Sequence, residues 1–383
     1  MLGALALAWA LLQTGRFLLS ALLPSIIESL AITEATAGIA LGVFQVVYAV
    51  TQYPSGRLSD VRSRAALVLP GVAVLAVAFL VIGRAETFLP FFVGTLLLGV
   101  GKGLYAIPSR ARLSDLFVER RGRALGIYAA GTDVGGLASA LVAVVIVGAS
   151  WRTPFFPIAV ALALVGVVYG VWNREPLWPA SESGSDDSGT AVGGVLATVR
   201  RLATTREQRL TLVAYSLFYF MVGGWINFLT TYLVAAKGFT QATAALGFSL
   251  VFAVGILTKP AAGALSDRFS RRSIAVGGLL LAAVALGGVV VATSKLAIGL
   301  AIAVLAVGYK TQFPLVDAML LDAAPDRNAG GDLGAARAVF LGIGALGPAY
   351  VGVTATWFGY EVAFAGLAAC LLACAGILAY ARA

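Results

Sequence analysis

The 383-residue chain has no histidine, only two cysteines and only 12% charged residues. Without an imidazole there is no histidine proton relay and no histidine metal ligand. Cys370 and Cys374 stand four positions apart and read as two small apolar residues on one helix face, not as a metal or redox pair. So little charge beside 60% hydrophobic residues and a mean hydropathy of +0.93 leaves too little polar surface to cover a water-soluble fold of this length. The chain also lacks a nucleotide-binding loop, a metal cluster and a nucleophile with a base beside it, so nothing points to an enzyme or to a cofactor.

What the chain does have is apolar runs. Cut at charge clusters and turn residues it gives twelve, over residues 4–28, 36–55, 65–83, 88–108, 124–147, 154–172, 210–235, 242–262, 273–293, 297–320, 333–357 and 361–381. Each is about the length a helix needs to cross ~30 Å of hydrocarbon. Continuous runs rich in Gly and Ala do not suit a barrel, whose strands alternate. The first run starts almost at Met1, has no basic lead and is longer than a signal-peptide core, so it is expected to be a retained helix. The expected fold is an all-α polytopic membrane protein.

The chain is also duplicated. Gly56-Arg57-Leu58-Ser59-Asp60-Val61-Arg62-Ser63-Arg64 returns 207 positions later as Gly263-Ala264-Leu265-Ser266-Asp267-Arg268-Phe269-Ser270-Arg271, followed by Arg272. The same offset lays Thr33-Glu34-Ala35-Thr36-Ala37 on Thr240-Gln241-Ala242-Thr243-Ala244. Two pseudo-symmetric six-helix bundles follow, 1–173 and 210–383, joined by a polar connection over 174–209. Parallel halves of this kind hold a substrate between them near mid-membrane in several secondary transporters. In the connection, 181–189 is Ser/Gly/Asp-rich and expected to be flexible, while Val195, Leu196, Val199 and Leu202 recur at helical spacing beside arginines, as an interfacial helix would.

Net charge +9 invites a nucleic-acid partner, but its distribution argues against one. Of 27 Lys and Arg, 18 fall in alternate connections and the C-terminus, four in the opposite connections and five inside spans. That is the positive-inside bias of a multi-pass plasma-membrane protein with both termini in the cytoplasm and lipid as its surroundings.

With twelve spans, a duplication and the paired motif, the chain resembles the major facilitator superfamily over essentially its whole length. The family's signature between spans 2 and 3 is Gly-x-Leu-Ser/Ala-Asp-Arg/Lys-x-Gly-Arg-Arg/Lys. The first copy keeps Gly56, Leu58, Ser59, Asp60 and Arg64; the second keeps Gly263, Leu265, Ser266, Asp267, Arg268, Arg271 and Arg272, with Ser63 and Ser270 at the second Gly position. The resemblance implies that Asp60, Arg64, Asp267, Arg268 and Arg271 latch the halves on the cytoplasmic side, in a short turn that reverses two helices. Two departures stand out. Thr95 occupies the place of the span-4 Arg that precedes a Gly-x-Gly, here Gly99-Val100-Gly101. Thr132 stands where the antiporter motif has Pro, in Gly131-Thr132-Asp133-Val134-Gly135-Gly136. Both weaken a drug/proton antiporter assignment.

Charges near the bilayer centre cost ~2.5 to 3.5 kcal/mol each even on the lenient scale, so they usually face a cavity and have a function. Four qualify: Arg16, Lys102, Asp133 and Lys310. Of five lysines in the chain, two stand at this depth, at nearly equivalent places in the halves. The resemblance puts spans 1, 4, 7 and 10 on the central path and hence Arg16, Lys102 and Lys310 on its wall. If Asp133 pairs with Arg16 or Lys102, a cationic excess remains, which an anion would balance. Tyr105, Tyr309, Gln312 and Trp225 are added as hydrogen-bonding or stacking candidates, with Gln13, Thr14, Gln45, Tyr48 and Tyr219 behind them. The expected protein is a secondary carrier that moves a small anion by alternating access, functional as a monomer, with a coupling ion or an exchanged anion as the other solute. The rivals are a proton-driven exporter of amphiphilic compounds titrating Asp133, and a transporter-like sensor.

Overall fold

The computed structural model describes residues 1–61, 63–146, 149–173, 206–266, 268–322 and 329–380. The expected interfacial helix over 195–202, the 181–189 segment and Asp267 lie outside the described residues, as does the side chain of Asp60. Among the described residues the expected spans are helical, and twelve helical spans are long and apolar enough to cross a membrane. In the first half the helices are α1 Leu2–Ala21, α2 Leu23–Leu30, α3 Glu34–Val61, α4 Ala65–Gly83, α5 Phe88–Leu116, α6 Arg121–Val145 and α7 Phe155–Trp172. In the second they are α8 Arg206–Ala235, α9 Gln241–Ser266, α10 Arg271–Val291, α11 Lys295–Lys310, α12 Gln312–Asp322, α13 Ala329–Gly344, α14 Leu346–Phe358 and α15 Tyr360–Tyr380.

Three spans that the hydropathy pattern gives as single runs are interrupted, at Leu22, Thr311 and Ala345. Each interruption stands two or three residues before a proline, Pro24, Pro314 or Pro348. A proline lacks the N–H that would bond the carbonyl four residues back and crowds that carbonyl, so the helix re-forms around it. At the third break the carbonyl so released, on Gly344, lies against the backbone of Gly223 in α8, a close approach that glycine permits.

The duplication seen in the sequence has a local physical basis. Thr33 Oγ1 accepts the N–H of Thr36 at 3.1 Å and Thr240 Oγ1 that of Thr243 at 3.3 Å, so one hydroxyl cap starts α3 and its repeat starts α9. Ser59 Oγ donates to the Gly56 carbonyl and Ser266 Oγ to the Gly263 carbonyl, both at 2.7 Å. These bonds correct one expectation: Gly56–Asp60 and Gly263–Ser266 are the last turns of α3 and α9 and not the reversing loop. Glycine contacts repeat as well. A Cβ on Gly71 would meet the Tyr105 nitrogen at 3.1 Å and one on Gly101 the Leu75 nitrogen at 3.0 Å; 207 positions on, one on Gly278 would meet the Gly308 carbonyl at 3.0 Å. Small residues thus seat α4 on α5 and α10 on α11 alike.

The chain divides into two compact units, Met1–Ile32 with Val43–Gly189, and Thr33–Gly42 with Thr190–Ala383. In the first, α4 packs on α5 and α7, and α1 on α6 and α7. In the second, α8 packs on α13, α14 and α15, and α10 on α11 and α15. The first turns of α3 belong to the second unit, where the Ala35 N–H donates to Thr356 Oγ1 at 3.1 Å. The outer faces are apolar: Val145, Leu257, Val284 and Leu296 are among the most exposed side chains, the pattern of a chain whose solvent is lipid.

Candidate functional site

In the N-terminal unit the site grows from α1, α3, α5 and α6. Gly131 and Gly135 bring α6 down onto α1; a Cβ at Gly135 would stand 2.7 Å from the Ala10 carbonyl oxygen and 2.9 Å from the Thr14 nitrogen. Between these glycines Asp133 is 4% exposed. Thr132, where the antiporter pattern has Pro, accepts the indole N–H of Trp9 at 2.9 Å, a bond that proline could not make. Trp9 stacks on Tyr128 and Tyr105, with centroids 5.1 and 6.5 Å apart. The Tyr105 hydroxyl donates to the Leu5 carbonyl at 2.6 Å, and the Ser109 and Tyr128 hydroxyls share a 2.7 Å bond. The structure therefore places Tyr105 in a packed aromatic cluster with its hydroxyl engaged. Thr95, at the place of the family's Arg, donates to the Phe92 carbonyl at 2.7 Å.

Lys102 is the exceptional side chain of this unit. It is 6% exposed, and its ammonium lies 4.1 Å from the Tyr48 ring centroid and 5.4 Å from that of Phe44, both on α3. No carboxylate lies within ion-pair distance of it among the described residues. The charges that bear on it are Arg16 and Arg110, both cations, and Asp133 is not among them. The loop cations Arg152 and Lys237 also lie over rings, those of Trp151 and Tyr232, but have backbone acceptors as well. Arg152 donates to the Ala85 carbonyl at 2.6 Å and to Ser29 Oγ at 3.2 Å, and Lys237 to the Val290 and Ala292 carbonyls. Arg16, 7% exposed, lies over the Phe17 ring at 4.3 Å, and Arg16 and Asp133 each have further partners. The buried carbonyl oxygens of the Gln13 and Gln45 side chains accept no hydrogen bond from the described residues.

The C-terminal unit repeats the lysine. Lys310 ends α11, is 3% exposed, and lies 4.6 Å from the Phe252 ring on α9 and 5.2 Å from Tyr309. Phe44 and Phe252 are separated by the same 208 positions as Lys102 and Lys310, so each unit holds a Lys over a Phe at equivalent places. Of the other candidates of this unit only Tyr309 is shown beside Lys310. Gln312 donates to the Ala275 and Gly308 carbonyls at 3.1 and 3.3 Å. Trp225 is fully buried edge-on to Phe364, 6.3 Å between centroids. Tyr309 meets Phe313 edge-on at 5.8 Å, and Tyr219 stacks on Phe340 at 5.5 Å.

Of the motif residues, Arg64 binds inside its own unit, to Asp115 Oδ2 at 3.3 Å and to Ser59 Oγ at 2.8 Å. Arg268 is exposed, Arg271 has partners, and Arg272 pairs with Glu207. A groove of about 730 Å³ between α4 and α7 is lined by Ala, Leu, Pro, Val and Gly only; it contains none of the charged residues and is not the site. The residue that sequence reasoning missed is Arg110, counted there among the loop cations. α5 runs on to Leu116, so Arg110 stands on the helix, over the Trp9 ring at 5.2 Å and the Tyr128 ring at 5.6 Å. The length of the helix would have been the signal.

Comparison with known proteins agrees with this architecture. The chain is 25% identical to a probable sulfoacetate transporter of Cupriavidus necator over 291 residues, 73% of this chain and 67% of that one. It is 22% identical to a hexuronate transporter of Bacillus subtilis over 301 residues, 74% and 70% of the two chains. A chloramphenicol resistance protein of Streptomyces lividans is 26% identical over 294 residues, 72% and 69%. Among solved structures, a bacterial homolog of the human lysosomal transporter Spinster matches with a TM-score of 0.83 at 18% identity, covering 100% of this chain and 96% of that one. The Major Facilitator Superfamily profile matches residues 5–257 and again residues 211–382. The chain therefore belongs to the major facilitator superfamily of secondary transporters.

Proposed function

We propose that this transporter moves a small organic anion by alternating access, with Lys102, Arg16 and Lys310 supplying the positive charge that holds it. One observation carries the reading: Lys102 is a buried cation that meets two aromatic rings and the fields of two other cations, with no carboxylate within ion-pair distance among the described residues. A mid-membrane charge costs ~2.5 to 3.5 kcal/mol or more, whereas a cation over a ring returns only about 0.5 to 2 kcal/mol. The rings alone do not offset the burial. A carboxylate or sulfonate arriving with the solute supplies the missing counter-charge, and sulfoacetate and hexuronate, the solutes named for two relatives, are such anions. Asp60 and Asp267 act, on this reading, as the cytoplasmic latch of the cycle. The other reading, a proton-coupled exporter, is favoured by the chloramphenicol-resistance relative and by the burial of Asp133.

Uptake by proteoliposomes of radiolabelled sulfoacetate, galacturonate, lactate, sulfate and phosphate is expected to exceed that of empty vesicles for at least one of the carboxylates or sulfonates. Efflux of cationic amphiphiles with no anion carried would overturn the reading in favour of the Asp133 exporter.

The positive-inside bias gives the orientation, with both termini cytoplasmic. Single cysteines at Thr33 and Ser270 are then expected to react with an impermeant maleimide from opposite sides of the membrane. Reaction of both from one side contradicts this topology.

A further inference from the structure

We infer that Arg110 is a second anion-binding position of the N-terminal unit, an entry station on an aromatic platform from which the solute passes to Lys102 and Arg16. The inference rests on the anion-carrier reading above and adds a residue and a path to it.

The geometry has two levels. At the first, Arg110 lies over Trp9 and Tyr128, and Trp9 is fixed by its bond to Thr132 and by the flanking ring of Tyr105. At the second, Lys102 lies over Tyr48 and Phe44, within the field of Arg16. Leu5 and Trp9 of α1 meet Tyr105 and Arg110 of α5, while Arg16, further along α1, acts on Lys102, further back on α5. Arg16 is seven residues beyond Trp9 and Lys102 eight before Arg110, which at 1.5 Å per residue puts the levels ~11 to 12 Å apart.

Arg110 is partly exposed, and no carboxylate lies within ion-pair distance of it among the described residues. Arg64, toward the same end of α5, is bound to Asp115. Arg84, Arg152 and Arg206 each lie over one ring, whereas Arg110 lies over two, those of Trp9 and Tyr128, both buried. Two aromatic faces restrain the guanidinium while leaving its five N–H donors to be shared, and a planar fork suits the paired oxygens of a carboxylate or sulfonate. Both levels are cationic, so the solute keeps a counter-charge along the path and is drawn inward from the end at which α5 terminates.

The test is transport kinetics of the full chain in proteoliposomes, with whichever of sulfoacetate, galacturonate, lactate, sulfate or phosphate is carried, measured in both directions. Arg110→Gln is expected to raise KM tenfold or more on the side where α5 ends, to lower kcat by much less, and to flatten the dependence of KM on ionic strength. Arg110→Lys keeps the charge and is expected to restore the ionic-strength dependence while regaining only part of the affinity. It also serves if the Gln variant fails to fold. An Arg110 that merely braces the rings would lower thermal stability in both variants and leave KM unmoved. Unchanged KM in Arg110→Gln, with binding lost in Lys102→Gln, overturns the station and leaves the anion reading standing. Transport of none of the five anions by the wild-type protein overturns both.

Discussion

Lys102→Gln is expected to weaken anion binding by tens- to thousands-fold, ~2 to 5 kcal/mol, because it removes one of the three cations proposed to face a desolvated anion. Lys310→Gln is expected to do the same, since its ammonium is as deeply buried and lies over the equivalent Phe of the repeat. Equilibrium binding of the carried anion to the purified protein measures both. Lys295 is exposed, and Lys295→Gln is the control expected to bind as wild type. Lys102→Arg is expected to fail as well, because a planar fork does not place its donors where a compact ammonium does, between the rings of Tyr48 and Phe44. Wild-type binding by both Gln variants would remove the lysines from the site and raise the Asp133 exporter above the anion carrier.

Gly135→Val is expected to cost ~3 kcal/mol or more of stability and to leave little folded protein. Overpacking usually costs about 1 to 3 kcal/mol, and here even the first added carbon meets backbone. It would lie 2.7 Å from the Ala10 carbonyl oxygen and 2.9 Å from the Thr14 nitrogen, neither of which can rotate away. Relief requires α6 to move off α1, which would also displace Asp133 and the Trp9–Thr132 bond. Gly126, on the same helix, has nothing within 4 Å of its would-be Cβ, so Gly126→Ala is expected to be neutral or slightly stabilising. Thermal unfolding in detergent and the yield of monodisperse protein compare the two; equal melting temperatures would refute the close-packing argument.

The local features of this fold were legible because each has a short-range cause. The Thr33 and Thr240 caps and the repeated Ser59 and Ser266 bonds depend on a few neighbouring residues, and the sequence shows those neighbours directly. The helix breaks were not legible, since Pro24, Pro314 and Pro348 accompany them but Pro54, Pro70, Pro108 and Pro260 stand inside unbroken helices. The motif residues Gly56–Asp60 were assigned to a loop because charge was taken as the end of the helix. A helix continues past the membrane once its backbone bonds are made internally, so charge marks the interface and not the terminus. The same confusion placed Arg110 among the loop cations.

Length, hydropathy and the 207-residue repeat thus determined the twelve spans and the family. They also singled out the buried Arg16, Lys102, Asp133 and Lys310, since a charge within an apolar run is conspicuous whatever lies around it. Only the tertiary structure decided which way each remaining polar side chain turns. Gln312 turns to the carbonyls of Ala275 and Gly308, Tyr105 to that of Leu5, and Lys102 to the rings of α3. In a water-soluble helix the polar face announces the outside, but here core and lipid are both apolar, so the sequence period around a span carries little directional signal. Direction comes instead from where glycines let two backbones close and what those closures leave facing inward, and that is a property of packed pairs of helices and not of any one of them.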